Sequence, residues 1–460
     1  MLLSRRGFLA SAALLALTGC GPSDWLLGAA TPDSAADPDP GDGLGLERHV
    51  LNRCTFGPRA GDLAAITALG VSGWIDEQLN GDDDRAIDRL LDDFGTLQAS
   101  AGEAYEYRQR VVQEEVARGT LLRAVYARRQ LREVVIGCWR DQFNVGAGKG
   151  DVGWLVASYD REVVRAHALG HFRDLLHASA THPAMLWYLD GRSNRKEHPN
   201  ENHARELLEL HSLGVDGGYT QRDVMEVARC LTGWEVRPAD GFRKGSTEFH
   251  PELHDDGAKE VLGTTIPAGL GAGDVERVID LLAAHPAAAR RVSRRLCARF
   301  IADEPPEQAV ADVAAAFTAS GGDLRATVRA VLLHPAFADP AIRGAKLKRP
   351  LHYLASCLRV LEVRTRAEAP LMAALDRLGE VPWQHPTPEG YAERATAWTG
   401  TLWWRWRTAW DLAHAHPHDL DPLLVLGRQP NAADQDAYAA TTDPDERRTL
   451  LLACPAFQHC

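Results

Sequence analysis

Two glutamates and an asparagine recur at helical spacing near the middle of the chain, in the segment NENHARELLELH at residues 200–211. A helix advances about 100° per residue, which places Asn202, Glu206 and Glu209 within about 60° of one another. Arg205 lies beside them. These oxygens can bind a hard divalent cation. The two carboxylates can instead share acid and base catalysis if burial separates their pKa values.

A solvated helix face explains the same spacing without any catalysis. Glu201, Arg205 and Glu209 follow one another at steps of four residues, which favours ion pairs along an exposed helix. Such pairs are common and contribute little to stability. The spacing alone therefore leaves both interpretations open.

A second cluster of titratable residues follows at 249–263. His254, Asp255 and Lys259 stand close together here, and imidazole with carboxylate suits metal binding or proton transfer. The alternative is a polar turn, because Pro251 and Gly257 interrupt any regular helix.

The two clusters combine into one enzyme hypothesis. Glu206, Glu209 and His254 are its predicted catalytic residues, with His254 as the proton carrier, and Arg205 and Lys259 are predicted to hold an anionic substrate group. A divalent metal fits the same scheme, and its predicted ligands are Asn202, Glu206, Glu209 and Asp255. The hypothesis requires that both clusters meet in one pocket.

Aromatic residues form a third cluster near the C-terminus. The five tryptophans are Trp398, Trp403, Trp404, Trp406 and Trp410. If exposed, they can stack on sugars or dock a partner, but a stripe at helical spacing is more often core. Upstream, the proline-rich loop WQHPTPEGY at 383–391 is predicted to form a pocket wall.

Helical periodicity accounts for most of the remaining chain and predicts an all-α or nearly all-α, multi-helix globular body. Thr220 and Asp223 form a capping box that opens one helix. One small β-hairpin is expected at 234–249. The other predicted helices span 46–54, 60–69, 72–79, 82–94, 103–138, 274–284, 286–300, 306–319 and 323–333.

The domain prediction follows from breaks in this pattern. A main helical domain is expected at 46–345, and a C-terminal helical part at 346–460 is expected to pack on it. The 460 residues carry 51 Lys and Arg against 63 Asp and Glu, a net charge of −12, which argues against a nucleic-acid partner. After the first twenty residues, no stretch is apolar enough to span a bilayer.

The first twenty residues predict a targeting segment. SRRGFL at 4–9 matches a twin-arginine export signal, and the short apolar run that follows ends at Cys20 in a sequence resembling a lipobox. We expect cleavage before Cys20, acylation of its thiol and attachment to a membrane facing the periplasm or cell exterior. Residues 21–45, rich in Pro, Asp, Gly and Ala, are predicted to form a disordered tether.

The order of the motifs resembles the bacterial family called domain of unknown function 1800. The matching segments are HVLNRCTFGP at 49–58, WRDQF at 139–143, LGHFRDLL at 169–176, PAMLWYLD at 183–190, NENHARELLELH at 200–211, HDDGAK at 254–259, PTPEGY at 386–391 and CPAFQ at 454–458. Gln142 and Cys454 depart from the pattern, since members often carry His and Ser there. The missing imidazole counts against any scheme that needs one at Gln142.

The resemblance implies an exported protein and suggests a co-exported partner from the sulfatase-like family called domain of unknown function 1501. It supplies no reaction. It does strengthen the functional interpretation of the carboxylates, because both clusters fall within matching segments. The sequence thus predicts a lipid-anchored envelope protein that acts as an acid/base or metal-assisted enzyme of hydrolase type. The alternatives are a non-catalytic escort of the sulfatase-like partner or a glycan-binding module.

Overall fold

The computed structural model describes residues 45–460, except for 82, 83, 239, 242, 418, 419, 421 and 427–431. The predicted signal segment 1–20, with the predicted acylation site Cys20, and all but the last residue of the predicted tether 21–45 lie outside the described residues. None of the helices described is both long and apolar enough to cross a membrane.

The predicted helical class is confirmed. The α-helices are Gly45–Cys54, Asp62–Asn80, Arg85–Leu91, Ala101–Ala104, Gln109–Tyr126, Gln130–Gln142, Val152–Tyr159, Phe172–Thr181, Pro183–Tyr188, Glu201–Glu206, Gln221–Cys230, Gly273–Ala284, Pro286–Phe300, Glu307–Ala319, Leu324–Leu332, Pro335–Ala338, Pro350–Val360, Ala369–Leu378, Leu402–Ala415, Pro422–Leu426, Ala432–Ala440, Pro444–Ala453 and Pro455–Gln458. Two π-helical segments, Asp160–Arg165 and Leu207–Ser212, continue the helices before them. Short 3₁₀ turns are Gly95–Leu97, Gly191–Ser193, Pro251–Leu253, Pro340–Ile342, Ala395–Ala397 and Thr399–Thr401.

The predicted hairpin is present, and a second one accompanies it. Strand Trp234–Val236 pairs antiparallel with Thr247–Phe249. In the second hairpin, strand Lys259–Val261 pairs with strand Thr264–Ile266. The sequence predicted only one hairpin and missed this one. Both turn residues, Leu262 and Gly263, have positive φ, as a two-residue hairpin turn requires. Strands of three residues are too short to show an alternating pattern in the sequence.

The stretch 103–138, predicted as one long helical stretch, is interrupted at 105–108 and again near Ala127. Helix Gln109–Tyr126 ends there and helix Gln130–Gln142 begins after a short extended segment. The Gln130 side chain stabilises the break, because its Nε2 donates to the Ala127 carbonyl at 2.8 Å. The predicted capping box at Thr220 forms as expected, with the Asp223 carboxylate accepting from the Thr220 backbone at 2.7 Å.

One hydrophobic core runs through both predicted parts of the chain. Buried arginines tie them together at the backbone. Arg53 donates to the Cys460 carbonyl at 2.8 Å, and Arg359 donates to the carbonyls of Gly57 at 2.6 Å and Val125 at 2.8 Å. The segment 346–460 therefore shares its interior with the residues before it.

A buried ionic cluster, which we call the Arg349 network, joins the same two parts. The Arg349 guanidinium donates to Asp141 at 2.6 Å, to Glu393 at 2.8 Å and to Glu380. All four side chains are at most 8% exposed. Burial alone raises the pKa of a carboxyl, but Arg299 and Arg349 hold the pKa of Glu393 well below its usual value. The network thus keeps several charges ionised inside the protein.

Candidate functional site

The predicted carboxylate stripe begins on helix Glu201–Glu206. Asn200 caps this helix by accepting from the Asn202 backbone at 3.0 Å. The Asn202 side chain turns back to donate to the Leu189 carbonyl at 3.0 Å, so its amide orders the helix start. His203 and Ala204 of this helix are buried, whereas the Glu206 side chain is partly exposed.

After Glu206 the helix widens into the π-helical segment Leu207–Ser212. The Leu213 backbone donates to the Leu208 carbonyl at 2.8 Å, a step of five residues, and the Ser212 hydroxyl donates to the Leu207 carbonyl at 2.6 Å. The wider turn changes the angle between Glu206 and Glu209 from that of a regular helix. Such segments are rare and occur often at functional sites.

A third carboxylate, Glu389 in the proline-rich loop 383–391, acts on Glu206 through its charge. Burial raises the pKa of Glu206, and the neighbouring charges of Glu209 and Glu389 raise it further, while Arg205 opposes the rise. Glu389 was not among the predicted site residues, although its loop was predicted as a pocket wall. We call Glu206, Glu209 and Glu389 the carboxylate cluster.

The loop that carries Glu389 is held in place by buried hydrogen bonds. Asn144 Nδ2 donates to the Thr387 carbonyl at 2.7 Å, and the Tyr188 hydroxyl donates to the Pro386 carbonyl at 2.8 Å. A hydrogen bond from the Thr387 side chain lowers the pKa of Glu389. The cluster therefore contains one carboxyl with a raised pKa and one with a lowered pKa.

Gly390 lets this loop approach helix Gln130–Gln142. Its φ is +68°, and an added Cβ would lie 2.3 Å from the Asp141 carbonyl oxygen. We expect Gly390→Ala to destabilise the protein by at least about 2 kcal/mol, because backbone must move and the left-handed conformation is strained. Urea denaturation measures this. Gly344→Ala is the matched control, with φ +70° and open space around the Cβ, and it should lose clearly less. Equal losses would contradict the close-approach explanation.

Tyr219 and Arg291 border the cluster on the side of Glu209. Burial and the Glu209 charge raise the pKa of Tyr219. Arg291 Nε donates to the Leu210 carbonyl at 2.9 Å, beside the same glutamate. Neither residue was predicted, since each comes from an element outside the segment 200–211.

Arg205 is engaged mainly with its own helix and the next one. Its guanidinium donates to Glu201 at 2.6 Å and to Gln221 at 2.9 Å. The predicted ion pair along the helix thus forms between Glu201 and Arg205, without Glu209. Arg205 is 40% exposed, which leaves it accessible to a bound anion.

The side chains of the second predicted cluster contact partners of their own in the interior. His254 Nε2 lies 3.2 Å from Asp274 Oδ2, and the Lys259 ammonium pairs with the same carboxylate. These three side chains are only 1% exposed. Asp255 instead receives two hydrogen bonds from Arg229, at 2.7 and 3.1 Å. The observed role of these residues is to fasten the second hairpin to the helices beside it.

The described hydrogen bonds and ion pairs therefore divide the predicted residues into two groups. Asn202, Arg205, Glu206 and Glu209 lie around the carboxylate cluster, whereas His254, Asp255 and Lys259 bind other partners. Within the part of the chain that the structure describes, no group of three or more His, Cys, Asp or Glu is placed to hold a metal ion. The catalytic assignments stay predictions, and the carboxylate cluster is the better basis for them.

The raised pKa of Glu206 has a consequence for stability. A carboxyl with a raised folded-state pKa stabilises the fold below its unfolded pKa, and that contribution is lost as pH rises through the folded value. Glu206→Gln should therefore raise the Tm slightly at about pH 7 and have no effect at about pH 3. Calorimetry at both pH values tests this, with the exposed Glu114→Gln as control. A lower Tm of the variant at neutral pH would contradict the sign.

Comparison with known proteins places the chain in one family. The model of the family described as "Protein of unknown function (DUF1800)" matches residues 49–459. No curated protein and no solved structure matches the chain. Because the match covers almost all of the described helical body, the chain belongs to this family, as the motifs at 49–58, 200–211 and 386–391 predicted.

Proposed function

We propose that the protein is an acid/base hydrolase of the cell envelope, with the carboxylate cluster as its active site. The proposal is carried by two carboxylates whose charges both act on Tyr188: the Glu389 charge also helps to raise the pKa of Glu206, while the pKa of Glu389 itself is lowered. Two neighbouring carboxyls with separated pKa values are the usual arrangement for a general acid and a general base.

The proposed reaction divides the work between these two groups. Glu389, ionised, accepts a proton from water as the water oxygen attacks the substrate. Glu206, protonated, donates its proton to the leaving group as the scissile bond breaks. Proton exchange with solvent then restores both groups. Glu209 helps to keep Glu206 protonated, and Arg205, which remains accessible, holds an anionic group of the substrate.

His254 and Lys259 have no place in this scheme because both side chains contact the buried Asp274 instead. The proposal likewise assigns no step to a metal. A cation bound between Glu206 and Glu209 would compete with the proton on Glu206, so added divalent metal should inhibit an acid/base reaction at this site.

The proposed cellular setting rests on the N-terminal sequence and the family resemblance. The twin-arginine motif at 4–9 and the lipobox-like sequence before Cys20 support export and lipid anchoring. A sulfatase-like exported protein is the proposed partner. An anchored hydrolase would act on substrates at the envelope surface.

The proposal is tested by product release from purified cell-envelope fragments. Wild-type protein, Glu206→Gln and Glu389→Gln are incubated with the fragments, and mass spectrometry identifies soluble products. We expect products from the wild type and from Glu114→Gln, and none above background from the two site variants. Equal release by wild type and both variants, or no release by any protein, would overturn the proposal.

One observation favours the escort function as a second candidate. Trp403 is 59% exposed and the adjacent Trp404 is 37% exposed, which is unusual for tryptophan. Trp398 is buried, so the predicted stripe is only partly a core element. If this pair docks the sulfatase-like protein, Trp403→Ser with Trp404→Ser should abolish its co-purification, while Glu206→Gln should leave it intact.

A further inference from the structure

A small, partly open cavity with mostly buried walls lies beside the Arg349 network. Its volume is about 30 Å³, and it is bordered by helices Gln130–Gln142 and Pro350–Val360. The residues that matter for its chemistry are Gly137, Arg140, Arg299, Arg349, His352 and Glu380. Charged and polar groups thus surround a space that can hold one or two atoms the size of a water molecule.

Several nitrogens at this cavity have no partner. Arg140 is 7% exposed and His352 is 2% exposed. Neither Arg140 Nε, nor Arg349 Nε, nor either ring nitrogen of His352 has a hydrogen-bond partner. Buried polar groups without a partner are rare in folded proteins because each carries a desolvation penalty.

Arg140 stands out among the arginines at the cavity. Within the described part of the chain, no carboxylate pairs with its guanidinium, which lies near the face of Trp383 at 5.8 Å from the ring centroid. Arg299 and Arg349, by contrast, contact Glu393 at 3.4 and 2.8 Å. An unpaired buried cation is strongly unfavourable unless a negative charge accompanies it.

The charges around the cavity do not balance. In the ion-paired network beside the cavity, counted together with Arg140, the cations are Arg140, Arg295, Arg299, Lys346 and Arg349, and the carboxylates are Asp141, Asp303, Glu380 and Glu393. Five positive against four negative charges leave an excess of one positive charge. Glu133 also borders the cavity, but Arg165 neutralises it with a hydrogen bond of 3.0 Å.

We propose that this cavity binds one small monovalent anion of the size of chloride. The anion accepts hydrogen bonds from the unpaired donors of Arg140 and His352 and cancels the excess charge. The volume of about 30 Å³ fits a monatomic anion better than a polyatomic one such as phosphate. Water can satisfy the hydrogen bonds but leaves the charge uncompensated.

The anion would stabilise the region that positions the carboxylate cluster. Asp141 receives the Arg349 guanidinium at 2.6 Å, and its backbone touches Gly390, next to Glu389. The inference stands apart from the proposed function, since it concerns occupancy of a buried site rather than turnover.

Gly137 provides a variant that fills the cavity without removing a charge. It lies within helix Gln130–Gln142, borders the cavity, and an added Cβ meets nothing within 4 Å. Gly137→Val should therefore fold and exclude the anion. Gly73→Val is the matched control, because Gly73 is also helical and its added Cβ meets only the Leu69 side chain, at 3.7 Å.

The first experiment compares thermal unfolding in sodium chloride and in sodium gluconate at equal ionic strength. We expect chloride to raise the Tm of the wild type and of Gly73→Val by roughly 2 °C or more, with saturation. Gly137→Val and Arg140→Gln should lose this difference. Equal Tm values of the wild type in the two salts, or a chloride effect that survives in Gly137→Val, would overturn the proposal.

A second measurement decides the matter even if the variants do not fold. Crystals of the wild type are grown with bromide in place of chloride, and anomalous scattering locates the bromide ions. A peak within hydrogen-bond distance of Arg140 supports the proposal. Density for water alone in the cavity, without an anomalous peak, excludes it.

Discussion

Arg349→Met should lower the free energy of unfolding by about 3–5 kcal/mol. The substitution removes the cation that three buried carboxylates share, namely Asp141, Glu380 and Glu393. Without it, Asp141 and Glu393 keep only the longer contacts with Arg295, Arg299 and Lys346, and Glu380 must either stay charged without a cation in a poorly solvated interior or take up a proton. Urea denaturation at neutral pH measures the loss.

The matched control is Arg407→Met. Arg407 is 50% exposed and pairs with Asp411 one helical turn away, so its removal should change stability by less than about 0.5 kcal/mol. Arg349→Lys should lose nearly as much stability as Arg349→Met, because one ammonium cannot reproduce the planar guanidinium that hydrogen-bonds to three carboxylates.

A double variant distinguishes charge from packing in the Arg349 network. If uncompensated charge causes the loss, adding Glu380→Gln to Arg349→Met should recover part of it, since one of the orphaned carboxylates is then neutral. If Glu380→Gln instead lowers the free energy of unfolding further, by as much as it does in the wild type, the side chains act mainly by filling space. A neutral or stabilising Arg349→Met would mean that the carboxylates are already protonated or hydrated.

Local patterns in the sequence predicted the local structure well. The capping box at Thr220, the helix Gly273–Ala284 and the hairpin at 234–249 each depend on neighbours within a few residues, so spacing and turn chemistry suffice to identify them. The second hairpin was not predicted because each of its strands has only three residues, too few to show an alternating pattern.

The candidate site shows where sequence reasoning stops. Helical spacing grouped Glu206 with Glu209, but it could not foresee the π-helical segment that changes their angle, because no residue pattern marks it. It also could not supply Glu389, which comes from a distant loop that packs here through Gly390 and Asn144.

The partners of the second titratable cluster could not be predicted for a related reason. Proximity in sequence and similar chemistry suggested one pocket for Glu206, His254 and Lys259. Asp274, which lies outside both motifs, instead contacts both His254 and Lys259 in the interior. Asp274 lies on the neighbouring helix Gly273–Ala284, and nothing in the sequence 254–259 indicates that His254 and Lys259 will contact it.

A large loss of catalytic activity is expected from a substitution in the carboxylate cluster. Glu206→Gln should reduce kcat/KM for the envelope substrate by about 10²–10⁴-fold, because glutamine cannot donate a proton to the leaving group. Substrate binding should change little, so the loss should fall mainly on kcat. Steady-state kinetics on the released product measures both constants, and Glu114→Gln should match the wild type.

The pH dependence of the same reaction identifies the two roles. The wild type should be active only while Glu389 is ionised and Glu206 is protonated. Its rate should therefore rise with pH through the lowered pKa of Glu389 and fall through the raised pKa of Glu206, with an optimum on the acidic side of neutrality. Glu206→Gln removes the group that titrates at higher pH, so its residual activity should keep the acid limb and lose the alkaline one. If the variant loses the acid limb instead, the assignment is reversed, with Glu206 as the base and Glu389 as the acid. That outcome would disagree with the raised pKa of Glu206 and the lowered pKa of Glu389.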